Sequence, residues 1–194
     1  TILTESSYEY DSMGVANAAI DELEKAMSGS FPGVMYGIQS MDDATDGAHN
    51  SDLMIIAAKP AMGKTALLLN MMINAMNSGE NVGFISAEMP VGQIGMRIAC
   101  TNGNVEASRA RKGELDDNDF GKFSNALQVL HRVNFQVYEK SAANINEVER
   151  MAKKWKHKNE IKALYVDYIQ RIRGSNEKAP KWEQIAEVVM RLKD

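Results

Sequence analysis

Three apolar runs in this sequence each end on residues able to do chemistry. Leu53 to Ala57 leads into Ala58-Lys59-Pro60-Ala61-Met62-Gly63-Lys64-Thr65-Ala66, Val82 to Ala87 leads into Glu88, and Ala163-Leu164-Tyr165-Val166 leads into Asp167. The first has the form of a phosphate-cradling loop: a small residue, four of any type, then Gly-Lys-Thr. Backbone N–H groups of such a loop and of the helix turn after it converge on one point, where the helix dipole also favours negative charge. There Lys64 supplies a point charge for the outer phosphates and the Thr65 hydroxyl a ligand for Mg²⁺. Ala58 stands where glycine is usual, a tolerated variant. Asp167, delivered beside the phosphates, would share the Mg²⁺ with Thr65 directly or through a water. Glu88 is placed to act as a general base, polarising a water for in-line attack on a γ-phosphate. Either carboxylate alone is weak evidence, because strand ends often carry Asp or Glu in turns. The coincidence of all three points to ATP and Mg²⁺, with residues 58–66 as the nucleotide-binding stretch.

These residues need a particular scaffold. Leu53–Ala57 reads as a buried strand, and Leu67, Leu68, Met71, Met72, Ala75 and Met76 recur after the loop at helical spacing. Further strands are expected at Val82–Ala87, Asn134–Tyr138 and Ala163–Val166. Helices are expected from about Val91 to Thr101, over 105–112 closed by Gly113, and after Asp116-Asp117 with Phe120, Phe123, Leu127 and Leu130 in register. Asn144 caps another, with Glu147 completing a capping-box pair and Ile145, Val148, Ala152 and Trp155 as its apolar stripe. A last helix shows Trp182, Ile185, Val189 and Leu192 in register. Strands alternating with helices at this spacing specify a mainly parallel α/β sheet covered on both faces, whose ligands bind beyond the C-terminal strand ends.

At the N-terminus, residues 1–12 are polar and aperiodic. From Ser12 a helix with Ala16, Ile20, Leu23 and Met27 on one face is ended by Gly29. Such a lone stripe must be buried, either on its own domain or on a neighbouring subunit. The run Lys153-Lys154-Trp155-Lys156-His157-Lys158 has the look of a nucleic-acid patch, but Trp155 lies on the apolar stripe, which makes the lysines a solvated helix face.

Composition narrows the class. The 194 residues suit one domain, or one domain plus a short arm, and 44% hydrophobic with 25% charged residues suffice for a substantial core. The net charge of −4 argues against a uniformly basic nucleic-acid binder, so any DNA contact must come from local patches. The single cysteine, Cys100, excludes an internal disulfide and fits a reducing cytoplasm. No apolar run approaches membrane-spanning length, and His49, His131 and His157 follow no zinc spacing.

Several blocks together resemble the DnaB family of replicative DNA helicases: Ile56 to Thr65, Phe84-Ile85-Ser86-Ala87-Glu88-Met89, Gln93 to Cys100 with Met96-Arg97, Arg111-Lys112-Gly113-Glu114-Leu115, and Tyr165-Val166-Asp167-Tyr168-Ile169-Gln170. Gly37-Ile38-Gln39-Ser40-Met41-Asp42 is similar to the family's entry into its motor domain. The likeness runs from about residue 15 to 194, in family order, with departures at Ala58-Lys59, Ala87 and Asp46-Gly47-Ala48. It implies a RecA-like P-loop NTPase fold, with residues 1–30 as an arm and linker helix and residues 31–194 as the ATPase domain. It also implies a homo-oligomeric, hexameric ring with ATP at subunit interfaces, Lys64 and Glu88 as catalytic residues, and Asp167 as the Walker B acid. The helix at about 15–27 would dock on the adjacent subunit. The loop carrying Arg171, Arg173, Lys178 and Lys181 would touch the backbone of single-stranded DNA, although a solvated loop explains those residues equally well. Primase and a helicase loader are the implied partners, in the cytoplasm of a bacterium or as a phage protein in a bacterial host, with no membrane contact. The family carries a sensor strand between the P-loop strand and the Walker B strand, and an arginine finger, both beyond the position matching Asp194. The expected domain is therefore incomplete at its C-terminus. Two other functions stay open at this level: a RecA-type recombination, repair or switch ATPase without unwinding, and an ATP-binding module of a ring.

Overall fold

The computed structural model describes residues 10–27 and 33–193. The expected stop at Gly29 and most of the N-terminal arm lie outside these residues. The chain divides after residue 32 into two units. In the first, helix α1 (Ser12–Met27) exposes Met13, Val15, Ile20, Leu23 and Met27.

The second unit is built on three strands, β1 (Val82–Ser86), β2 (Phe135–Glu139) and β3 (Ala163–Asp167). All run parallel in the order β2-β1-β3, with Val82 level with Phe135 and Ala163, and Ser86 level with Glu139 and Asp167. Their C-terminal ends therefore finish side by side. β1 lies in the centre and is buried throughout, which explains why its sequence is apolar up to Ser86.

Around the sheet lie helices α2 (Gln39–Thr45), α3 (Lys64–Asn77), α4 (Val91–Gly103), α5 (Ala107–Lys112), α6 (Asp117–Ala126), α7 (Ile145–Asn159) and α8 (Lys181–Lys193). Alternation along β1 divides the core between two faces. Val82 and Phe84 pack with Leu69, Met72, Ile73 and Met76 of α3 and with Ile94 and Ile98 of α4. Ile85 faces the other way, onto Ile145, Val148 and Trp155 of α7 and Val188 of α8. Gly83 is required there: a Cβ on it would come within 2.8 Å of the Trp155 ring. The methionines at 71, 72 and 76 fill core space. The lysines flanking Trp155 are exposed, as a solvated face demands.

Local signals fix several helix ends. Asn144 accepts from the Asn146 amide (2.9 Å) and the Glu147 carboxylate accepts from the Asn144 amide (3.1 Å), forming the expected capping box of α7. α5 closes on Gly113 at φ +73°. α2, which the sequence did not announce, is held at its start by Asp42, whose carboxylate accepts from the amides of Tyr36 (2.7 Å) and Gly37 (2.9 Å).

Three expectations need correction. The apolar run 53–57 forms no strand, and within it Ile55 is 55% exposed. A strand exists only by pairing with a neighbour about 4.8 Å away, and among the described residues the sheet consists of β1, β2 and β3 alone. Phe120 is 62% exposed, whereas Phe123, Leu127 and Leu130 of the same expected stripe are half-buried, and Leu130 packs on the core beside Val129 in the 3₁₀ turn Leu127–His131 that follows α6. Trp182 is 70% exposed because α8 is rotated to bury Gln184 and Val188. The Gln184 amide donates to the carbonyls of Ala179 (2.8 Å) and Glu177 (3.3 Å) and accepts from the Gly174 N–H (3.2 Å), which fixes that rotation.

Candidate nucleotide site

Residues 58–63 form an exposed loop that enters α3 at Lys64. Two left-handed residues shape it, Ala61 at φ +63° and Gly63 at φ +89°. The second is a conformation that glycine adopts without steric penalty. By helix geometry the N–H groups of Lys64, Thr65 and Ala66 have no partner four residues back and are free to bind an anion. The Lys64 ammonium folds back over the loop and donates to the carbonyls of Ala58 (2.8 Å) and Lys59 (3.2 Å). Residues 58–66 thus place a cation and a helix N-terminus at one point.

Tertiary structure brings the other candidates there. The Thr65 hydroxyl donates to Asp167 Oδ1 at 3.3 Å, joining the start of α3 to the end of β3 across 102 residues of sequence. Asp167 is 5% exposed. Burial raises its pKa above the ordinary carboxylate range and Glu88's charge adds to the rise, while the Thr65 hydrogen bond and the charges of Arg97 and Lys64 oppose it. A buried carboxylate beside a hydroxyl is an all-oxygen donor set of the kind a hard cation takes. Among the described residues no cluster of three His, Cys, Asp or Glu gathers elsewhere to hold a metal.

Glu88 lies two residues past β1, and the backbone around it is pinned on both sides. The Ala87 N–H donates to the Asp167 carbonyl (2.9 Å). The Ser86 hydroxyl, 1% exposed, donates to the Met89 carbonyl (2.6 Å) and accepts from the Met89 N–H (3.1 Å). Beyond it, the Val91 N–H at the start of α4 donates to Glu139 Oε2 (2.7 Å). The Glu88 side chain is left exposed. Ser86, Glu139 and Arg97 were not singled out as site residues from the sequence. A serine three residues before a backbone turn is a weak signal, and Arg97 sits within an ordinary helix, its charge reaching Asp167 only in the folded chain.

The four basic candidates separate. Arg171 closes a 3₁₀ turn (Ile169–Arg171) directly after β3 and lines a cavity with Glu88. Arg173 pairs with Glu177 at 3.2 Å, and Lys181 Nζ donates to the Ile172 carbonyl at 3.3 Å. Lys178 is exposed further along the same loop. That loop is fixed to α8 by Gln184 and by Glu187, whose carboxylate accepts from the Ser175 amide (3.0 Å) and hydroxyl (2.5 Å). No helix among the described residues is long and apolar enough to cross a membrane.

Comparison with known proteins agrees with this architecture. Residues 33–194 match the family model described as DnaB-like helicase C terminal domain. The replicative DNA helicase DnaB of Geobacillus stearothermophilus is 32% identical over 167 residues, covering 85% of this chain and 37% of that helicase. This chain thus spans a little over a third of that relative's length. A solved structure described as an ATPase domain superposes with a TM-score of 0.83 at 26% identity, over 95% of this chain and 66% of that one. A DnaB-like replicative helicase, solved in a study of its interactions with primase, gives a TM-score of 0.79 at 25% identity, over 97% of this chain and 46% of that one. The sheet is therefore that of a RecA-like ATPase, and the chain belongs to the DnaB-like helicase C-terminal domain family.

Proposed function

We propose that this chain is the nucleotide-hydrolysing part of a replicative DNA helicase, a motor that uses ATP to move along single-stranded DNA and part the duplex ahead. The observation that carries this reading is the junction of the α3 N-terminus with the β3 end through Thr65 and Asp167, with Glu88 held beside it. Lys64 exchanges the loop carbonyls for phosphate oxygens and spreads positive charge over the outer phosphates. Thr65 and Asp167 would hold Mg²⁺, which neutralises charge on the phosphates. Glu88 accepts a proton from the attacking water, lined up with the γ-phosphorus by the fixed turn on which it stands.

Residues 31–194 form the motor domain in this reading and residues 1–30 an N-terminal arm and linker helix. The exposed stripe of α1 docks on the next subunit of a hexameric ring. Arg171, Arg173, Lys178 and Lys181 lie on a loop braced by α8 and neutralise DNA phosphates without reading bases. Primase and a loader are the expected partners, within the cytoplasm of a bacterium or a phage-infected cell.

The test is strand separation on a forked duplex by the complete gene product with ATP and Mg²⁺. Glu88→Gln should retain ATP affinity and lose hydrolysis by roughly a hundredfold or more, and with it unwinding. Normal turnover in that variant would remove Glu88 from its role. Hydrolysis stimulated by DNA without strand separation would make this a RecA-type ATPase of another kind.

A further inference from the structure

A cavity of about 120 Å³ opens at the C-terminal ends of β1 and β2, lined by Ser86, Ala87, Glu88, Glu139, Ser141 and Arg171. It holds one cation and two carboxylates. Glu139 is already engaged, its carboxylate accepting from the Val91 amide. Among the described residues no hydrogen bond holds the Glu88 carboxylate, although the backbone on either side of it is fixed. What remains to be set at Glu88 is the direction of its side chain, and among the described residues the only opposite charge lining the cavity is Arg171.

Arg171 is itself held in place. Its Nε donates to the Tyr168 hydroxyl at 3.1 Å, its guanidinium lies 5.8 Å from the Tyr168 ring centroid, and its N–H donates to the Tyr168 carbonyl at 3.0 Å. The hydrogen bond to Tyr168 raises the guanidinium pKa most, and the charge of Glu88 raises it further. Arg171 is also exposed, and it is the first cation of the loop that continues through Arg173, Lys178 and Lys181. A guanidinium in this position faces two anions, a carboxylate of its own protein and any phosphodiester arriving at the loop, and either can take it in charge-assisted hydrogen bonds.

We propose that Arg171 is a positioning residue that couples the two sites. It draws the Glu88 carboxylate toward the cavity until a nucleic-acid phosphate takes the guanidinium, which releases Glu88 toward the nucleotide. The inference rests on the assignment of Glu88 as general base, and it makes DNA-stimulated hydrolysis a competition for one cation.

The experiment measures ATP hydrolysis by the complete gene product against increasing oligo(dT), for wild type, Arg171→Gln, Arg171→Lys and Tyr168→Phe. A residue that only touched DNA would raise the oligonucleotide concentration needed for half-stimulation and leave the plateau where it was. A coupling residue changes the ratio of the saturated rate to the DNA-free rate. Arg171→Gln should bring that ratio close to one, with the KM for ATP unchanged. Arg171→Lys should restore part of it, and Tyr168→Phe, which keeps the cation and removes its hydrogen-bond partner, should fall between. A wild-type ratio in Arg171→Gln overturns the proposal, as does an altered KM with an unaltered ratio. Undiminished hydrolysis in Glu88→Gln would instead overturn the general-base assignment, so the two failures are told apart.

Discussion

Replacing Ser86 by alanine removes one oxygen atom, and the structure gives that atom two duties. It donates to the Met89 carbonyl at 2.6 Å and accepts from the Met89 N–H at 3.1 Å, in surroundings where Ser86 is 1% and Met89 7% exposed. Alanine leaves both backbone groups unmet. Each unmet buried group costs about 1–3 kcal/mol, and some relaxation toward the exposed Glu88 side brings the expected loss to about 2–4 kcal/mol. For a domain of this size that corresponds to a fall in unfolding temperature of roughly 5–15 °C, with the fold intact because domains are stable by about 5–15 kcal/mol. The second effect falls on chemistry. Glu88 stands inside the turn that the hydroxyl closes, and a displacement of about 1 Å in a reacting group lowers turnover by up to about a hundredfold. Nucleotide affinity should hold, because Lys64 and Thr65 belong to α3 and not to this turn. Thermal unfolding and steady-state hydrolysis of Ser86→Ala in the complete gene product measure the two effects separately. A lower unfolding temperature with unchanged kcat would show that the hydroxyl stabilises the fold without aiming Glu88. An unchanged unfolding temperature would refute the argument at its first step.

Two further substitutions test the site and its support. Lys64→Ala removes charge-assisted phosphate bonds worth roughly 1.5–3 kcal/mol, so equilibrium binding should show ATP affinity lower by about ten- to a hundredfold, and undiminished affinity would contradict the phosphate-loop assignment. Glu149→Gln breaks a two-point pair between α7 and α8, in which Arg191 donates to both carboxylate oxygens at 3.0 and 2.6 Å. Those hydrogen bonds hold the Glu149 carboxyl below the ordinary glutamate range, so the pair stabilises the fold above that range and the contribution disappears as pH falls through the lower folded value. Denaturation should show wild type ahead by about 1 kcal/mol at pH 7, a modest figure for a pair that water still reaches, and the gap should close as the solution is acidified.

Where a rule needs only a few adjacent residues, the sequence was sufficient. The capping box of α7 is written in Asn144 and Glu147, and the closure of α5 in Gly113. The central strand was legible because β1 is buried on both faces and is apolar from Val82 to Ile85. The start of α3 was legible because Gly63-Lys64-Thr65 precedes an apolar helical repeat, and Gly63 does take the left-handed conformation ahead of it. Side-chain direction along α8 was not legible in this way. Periodicity placed Trp182 inward, yet the three hydrogen bonds of Gln184 to the preceding loop decide the rotation, and they exist only when that loop folds over the helix.

The run 53–57 shows the limit most directly. Its composition is that of a buried strand, and the helix after it forms as expected, but strand formation is a property of pairs of segments and no single segment carries it. The site is a non-local object in the same sense. Glu88 and Asp167 were each recognisable as strand-end carboxylates. What makes them one site is the register that sets Ser86 level with Asp167, and the Ala87 N–H to Asp167 carbonyl bond one residue beyond. That bond joins the turn carrying Glu88 to the strand carrying Asp167, so any movement of β3 against β1 moves the proposed general base relative to the carboxylate that would hold Mg²⁺. Arg171 stands at the end of the same strand, four residues from Asp167. In the proposed reading, the basic loop therefore has a short, covalently continuous connection to Asp167, and the end of β3 is where DNA contact and hydrolysis would meet.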